Sequence, residues 1–233
     1  MRGIALDESI SVIVPVYNGE RFLQEALASA LGQTRPPDEV IVVDDGSTDG
    51  SATIIQSLPV TYLRQENQGP SAARNLAIRH ASGNLLAFLD QDDVLLPHKL
   101  EAQLQALRED PDAGYALCYL RYLYEDKGAP GWFHGKGPEQ GEPGYPPSCW
   151  LIRRETWDRV GPFQADRRYT QDMDWLARAN DLGVKVHMVP EALVLKRIHG
   201  DNLLGSVEAA KMEMLRTLRD SAARKRAAEQ GGT

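Results

Sequence analysis

The sequence predicts an α/β fold in which a mainly parallel sheet carries helices on both faces. Three observations lead there. The apolar runs ISVIVPV from Ile10, VIVV from Val40 and LLAFL from Leu85 lack the polar alternation of a half-solvated strand, and strands buried on both faces belong to parallel sheets. Segments with helical apolar spacing stand between these runs, so strand and helix alternate four times before residue 112, as right-handed crossovers require. Acids close two of the runs, Asp44 and Asp45 after the second strand and Asp90, Asp92 and Asp93 after the fourth. The carboxyl ends of strands are where open α/β sheets bind ligands.

In chain order, Ile10 to Val16 is the first strand, and Pro15, which donates no ladder hydrogen bond, requires it to end or to lie at an edge there. Tyr17, Asn18 and Gly19 turn the chain, with Asn18 as N-cap of a helix whose Leu23, Ala26, Leu27, Ala30 and Leu31 precede a closing Gly32. Val40 to Val43 is the second strand, and Ser47 caps a helix through Ile54 and Ile55 with Asp49 in its first turn. Val60 to Leu63 is the third. Gly69 and Pro70 open a helix with Ala72, Leu76, Ala77 and Ala81 as its apolar stripe. Leu85 to Leu89 is the fourth strand, and a helix carrying Leu100, Leu104 and Leu107 starts at Pro97.

Beyond Asp112 the texture changes. Gly114 to Tyr124 is an aromatic-rich strand, whereas Glu125 to Pro147 is aperiodic and rich in Gly and Pro. A loop of that length in a compact domain is a lid or is disordered, and Trp132 to Tyr145 is expected to be a mobile lid. Ser148 to Arg153 forms a strand, Arg154 to Val160 a helix, Gln171 to Leu182 a helix, and Val184 to Val189 and Ala192 to Ile198 two short strands. Ser206 to Glu229 is a helix with Val207, Met214, Leu218 and Ala222 on one face. It carries Lys211, Arg216, Arg219, Arg224, Lys225 and Arg226 against Glu213 and Asp220. Such a helix lies on an anionic membrane or packs on a partner, or else docks on the domain by its apolar face.

The 233 residues carry a net charge of −7, which argues against nonspecific nucleic-acid binding by the whole chain. No apolar run is long enough to span a bilayer. Asp7 and Glu8 stand where a leader would be basic and then apolar, so a cytoplasmic location is expected. Cys118 and Cys149, in apolar surroundings, are expected as buried reduced thiols.

Asp90, Asp92 and Asp93 repel one another unless a cation neutralises them, and Mg²⁺ or Mn²⁺ takes oxygen ligands that it shares with substrate phosphates. The plain alternative is a polar turn capping the helix near Pro97. DDGSTD, from Asp44 to Asp49, fits neither a dehalogenase-type phosphatase, because Val43 stands where an acid is needed, nor a response regulator, whose phosphoacceptor position holds Leu63 and Arg64. The chain contains no G-x-G-x-x-G fingerprint and no P-loop.

PVYNGERFLQEALAS, VVDDGSTDGS, NQGPSAARNLAIRHASGNLLAFLDQDD, LIRRETWDRVGPF and TQDMDWLAR stand in the order found in family 2 glycosyltransferases. Together these motifs, from Ser11 to Asn202, resemble the GT-A fold of inverting, nucleotide-sugar-dependent enzymes. The resemblance implies a single domain, with a nucleotide-sugar half over residues 1–112, an acceptor half over 113–204, and a C-terminal helix and tail over 205–233. It implies a UDP- or dTDP-sugar donor, a saccharide, lipid-linked or protein acceptor, and Mn²⁺ or Mg²⁺. Pro15, Val16, Tyr17 and Asn18 would line the nucleotide pocket, and Asp44 or Asp45 would accept the base imide hydrogen, with Gly46 admitting backbone close to the ligand. Arg74 would reach ribose or diphosphate. Asp90, beside Gln91, would hold ribose or sugar, and Asp92 the metal, while Asp93 is a second metal contact or the helix cap.

On the acceptor side, the family's usual Glu-Asp pair is Gln171-Asp172 here. Asp172 becomes the general base, with Asp174 as its backup. Trp175 stacks on the acceptor or belongs to the core. Trp150 and Arg153 fall in the acceptor-facing strand. His199 completes the metal shell or contacts the diphosphate, with Lys196 and Arg197 available to phosphate. A nucleotide-sugar-binding module without catalysis, and a nucleotidyltransferase, are the alternatives.

Overall fold

The computed structural model describes residues 8–125, 139, 141–199 and 207–231. Strand β1 (Ile10–Val16) is buried at every position, so both faces of the sheet are covered there. It pairs in parallel with β2 (Glu39–Asp44) on one side and β4 (Leu85–Phe88) on the other, and β3 (Thr61–Arg64) extends the parallel part beyond β2. Helices α1 (Leu23–Leu31), α2 (Ser51–Gln56) and α3 (Pro70–His80) connect these strands, as the alternation predicts.

The second half is mixed rather than parallel. After β5 (Val94–Leu95) and α4 (Lys99–Glu109) come β6 (Ala113–Tyr124), β7 (Glu142–Pro143), β8 (Trp150–Arg153), α5 (Arg154–Val160), α6 (Gln171–Asp181), β9 (Lys185–Ile198) and α7 (Val207–Gly231). Strand β8 runs antiparallel to both β4 and β6, and so joins the two halves. The described strands form one sheet ordered β3-β2-β1-β4-β8-β6-β9-β5, with β7 beside β6. Behind the junction, Phe88, Trp150, Trp157, Phe163 and Trp175 pack with ring centroids 5.0 to 6.0 Å apart. Cys118 and Cys149 are buried free thiols.

Several local expectations are corrected. Strand β1 is central and runs through Pro15 to Val16. The Ile13 carbonyl, on the same side of the strand as the Pro15 nitrogen, takes its bond from Leu89, just past the end of β4. The missing N–H therefore faces a gap where the neighbouring strand has stopped. Asn18 is not an N-cap. It takes a left-handed φ of 49° and its Oδ1 accepts from the Thr48 N–H, while Ser47 Oγ accepts from the Asn18 N–H instead of capping α2. Of the α3 stripe Ala77 is buried and Leu76 and Ala81 pack partly buried against the core; Ser71, Ala73, Arg74 and Ile78 are buried beside them. The two late strands are one, β9, bulged at Pro190 and Glu191 so that Val189 pairs with Cys118 and Ala192 with Tyr119. The face of α7 expected to dock is turned outward, with Met214, Leu218 and Ala222 exposed. Of the Trp132–Tyr145 segment read as a lid, all but Glu139 and residues 141–145 lie outside the described residues.

Candidate active site

Where β1 and β4 part, a cleft of about 710 Å³ opens at the carboxyl ends of the strands. Pro15, Val16, Tyr17 and Asn18 line one wall. Gln91 fixes that wall from the opposite turn: its Oε1 accepts from the Tyr17 N–H at 2.7 Å and its Nε2 donates to the Tyr17 carbonyl at 3.1 Å. A Cβ on Gly19 would stand 2.7 Å from the Gln91 Oε1, so glycine is what lets this amide in.

The choice between Asp44 and Asp45 is resolved by position. Asp44 is fully buried away from the cleft, accepting from the Ser47 N–H at 2.7 Å and the Tyr62 hydroxyl at 3.0 Å. Asp45 lines the cleft and accepts from the N–H groups of Gln68 and Gly69 and from Gln65 Nε2. Three bonds leave one of a carboxylate's roughly four lone-pair sites for a ligand. Gly46 needs its glycine, with φ of 83°, but what it approaches is the backbone of residues 65–67 and not the cleft.

The turn after β4 closes with the Asp93 N–H bonded to the Asp90 carbonyl and gathers carboxylate oxygens of Asp90, Asp92 and Asp93 within 4.8 Å of one another. Lys196, from β9, places its ammonium 3.3 Å from Asp90 Oδ2 and 3.2 Å from Asp93 Oδ2. Arg74 donates to Asp90 Oδ1 at 2.5 Å. Burial alone would raise the Asp90 carboxyl, but these two cations hold it down to about 2. Asp93 is the reverse case, pushed up to about 7 by burial and by its acidic neighbours against the pull of Lys196. Burial would lower the Lys196 ammonium, yet the three carboxylates keep it well above its ordinary value.

Asp93 caps nothing, because no side chain caps α4. Its oxygens take the Ser148 hydroxyl, Lys196 and the Arg197 N–H, a strap that holds β9 and the β8 approach on the acid turn. Asp92 lies instead at the cleft, 3.0 Å from His199 Nε2. Carboxylate oxygens with one imidazole suit a hard divalent ion. The donor set fits at Asp92 and His199, while Asp93 is already committed elsewhere. Arg74, 3% exposed, leaves its Nε and Nη1 buried without a hydrogen-bond partner, so two donor nitrogens of this cleft-lining side chain lack an acceptor.

The opposite wall is the start of α6. Asp172 accepts from its neighbour's Met173 N–H at 2.8 Å, and burial raises its carboxyl above the usual range, Met173 and Arg74 opposing and Asp90 reinforcing. Gln171 accepts from the Ser71 hydroxyl, tying α6 to α3 with an amide where the family has an acid. Arg168 and Tyr169 complete this wall, and Glu213 of α7 accepts from the backbone N–H groups of Arg168, Tyr169 and Thr170.

Other expected site residues lie elsewhere. Trp150 and Trp175 are fully buried in the aromatic core, with their indole N–H groups on the Tyr145 and Gly161 carbonyls, so neither has surface to offer an acceptor. Arg153 donates to the Ala113 and Leu107 carbonyls, and Asp174 pairs with Arg178 at 2.9 Å, both outside the cleft. Arg197 bridges Glu25 and Glu125 and lies over the Phe22 ring, serving the fold and not a phosphate. Sequence reasoning missed Ser148, Arg168, Tyr169 and Glu213. Their only signal is adjacency to motifs, since a lone Ser or Glu has no spacing to betray it.

Residues 11–161 match the family model described as glycosyl transferase family 2. An uncharacterized glycosyltransferase of Nostoc is 32% identical over 224 residues, which cover 88% of this chain and 69% of that protein. The putative teichuronic acid biosynthesis glycosyltransferase TuaG of Bacillus subtilis is 41% identical over 46% of the chain and 47% of its own length. Longer curated relatives from Rickettsia match too, and there the chain spans only 18 to 19% of the protein. Among solved structures, Staphylococcus aureus TarS in complex with UDP-GlcNAc superimposes with a TM-score of 0.76 at 23% identity, over 93% of this chain and 66% of that one. A Pyrobaculum calidifontis mannosyltransferase in complex with GDP-Man and Mn²⁺ gives 0.66 at 20% identity, over 96% and 76%.

Proposed function

Since the chain belongs to glycosyl transferase family 2 and has the GT-A architecture of its structural neighbours, we propose that its cleft transfers a sugar from a UDP- or dTDP-sugar to an acceptor hydroxyl with inversion. One observation carries this reading: a half-buried carboxylate of raised pKa, an acid cluster and Arg74 with two unpaired nitrogens line a single cleft. Asp45 accepts the imide N–H of uracil or thymine with its remaining lone pair. Arg74 turns its unpaired Nε and Nη1 to the diphosphate oxygens. Asp92 and His199 would hold Mg²⁺ or Mn²⁺, which supplies Lewis acidity toward the departing diphosphate. Asp172 takes the acceptor's hydroxyl proton as the new bond to the anomeric carbon forms and the bond to the diphosphate breaks on the opposite side. Residues 1–112 serve the donor and 113–204 the acceptor, except that His199 reaches across to the donor side at Asp92.

Transfer by Asp172→Asn tests the assignment. Loss of a general base lowers turnover by about 10²–10⁴-fold, with UDP affinity unchanged. The base works only when deprotonated, so the wild-type rate should rise with pH through a pKa above the ordinary carboxylate value, as burial of Asp172 dictates. Unchanged turnover in the variant would remove Asp172 from the mechanism.

A further inference from the structure

Helices α1, α3, α4 and α6 turn apolar side chains inward; α7 does the reverse. Its inner side is polar. Glu213 holds the Arg168–Thr170 backbone, Asp220 pairs with Arg167 at 2.5 Å, Arg224 and Ser221 hold Asp181, and Thr217 is buried. Its outer side carries Met212, Leu215 and Leu218, each 60% or more exposed. Lys211, Leu215, Leu218, Ala222 and Lys225 recur there at alternating four- and three-residue spacing, which keeps them on one stripe. Lys211, Arg219, Lys225 and Arg226 flank the apolar residues; Lys211 lies 4.0 Å from Glu208, Arg219 4.0 Å from Asp220 and Lys225 3.6 Å from Asp181, and among the described side chains the acid on this side is Glu208 in the first turn. Three adjacent large apolar side chains in solvent form a patch that wants a cover.

We infer that this face of α7 docks on an anionic lipid surface. Charge decides against a second copy of the chain. A two-fold interface sets a patch against itself, so a face of net positive charge would meet the same net positive charge. An anionic headgroup layer pairs with them, while Met212, Leu215 and Leu218 enter the boundary with the acyl chains, the arrangement of an interfacial helix. The inner side of the same helix holds the loop that supplies Arg168 and Tyr169 to the cleft. The acceptor wall would thus stand about one helix diameter, roughly 10 Å, from the lipid.

Co-sedimentation of the full chain with phosphatidylcholine vesicles, with and without phosphatidylglycerol, tests this without reference to sugar transfer. The protein should pellet with the anionic vesicles and stay in solution with the neutral ones. Lys211→Gln with Arg219→Gln should lower partitioning about 30-fold, near fivefold per basic residue. Leu215→Gln with Leu218→Gln should lower it at least about tenfold. Both double variants should keep the wild-type melting temperature and UDP affinity, which separates lost docking from lost folding. Equal binding to neutral vesicles, binding indifferent to both double variants, or no pelleting at all would overturn the proposal. So would a dimer in sedimentation equilibrium that Leu215→Gln dissolves in the absence of lipid.

Discussion

Lys196 decides the electrostatics of the cleft. Three carboxylates within 4.8 Å would repel strongly, and its ammonium, shared by Asp90 and Asp93, offsets that repulsion from inside the fold. Unit charges 4 Å apart interact by about 4 kcal/mol at an effective dielectric of 20. Lys196→Met should therefore do two opposite things. It should lower the melting temperature in the absence of divalent ions, and it should tighten Mn²⁺ binding without nucleotide by roughly tenfold, about 1.4 kcal/mol. Calorimetric titration with MnCl₂ checks this, and weaker Mn²⁺ binding in the variant would show that Lys196 holds the acids in place instead of competing for them. The acids were legible because clustered carboxylates at a strand end have few uses. The lysine was legible only as a cation near phosphate, because its pairing with Asp90 and Asp93 spans more than a hundred residues of chain.

Among the elements, β1 and α5 match the sequence reading at both ends, because each has a strong local stop. The face of α7 was misread for a physical reason. Periodicity says which residues share a face, but the direction of that face is set by partners, here Glu213, Asp220 and Arg224, that look like ordinary surface charges. Glu213 is the clearest case. Three backbone N–H groups converge on its carboxylate, so Glu213→Ala should cost about 1–3 kcal/mol, several degrees in melting temperature. The loop it releases carries Arg168 and Tyr169, so acceptor KM should rise more than donor KM. Equal rises in both, in steady-state kinetics, would place Glu213 in general stability and not in shaping the acceptor wall. The Trp150 assignment failed similarly, and of the two readings of Trp175 the core one holds: an aromatic beside a motif cannot be told from a core aromatic until its neighbours are known.

Over the whole molecule, β8 is the joint between a parallel half and a mixed half, and the sheet runs unbroken across it. The halves should therefore unfold together. UDP with Mn²⁺ at about 100 times its Kd stabilises by about 2.7 kcal/mol, and scanning calorimetry should show one transition moving as a unit. Two transitions, one of them unmoved, would mean that the halves are energetically separate. The parallel strands before Asp112 were legible from their apolar runs, while the antiparallel joint was not, since strand direction leaves no mark in composition. The amide of Gln91, hydrogen-bonded to both the N–H and the carbonyl of Tyr17, has a consequence at this scale. It ties the turn after β1 to the acid turn after β4, two sides of the cleft. If a nucleotide sugar binds as proposed, its two ends would meet places already tied together, so recognition would draw on prior rigidity.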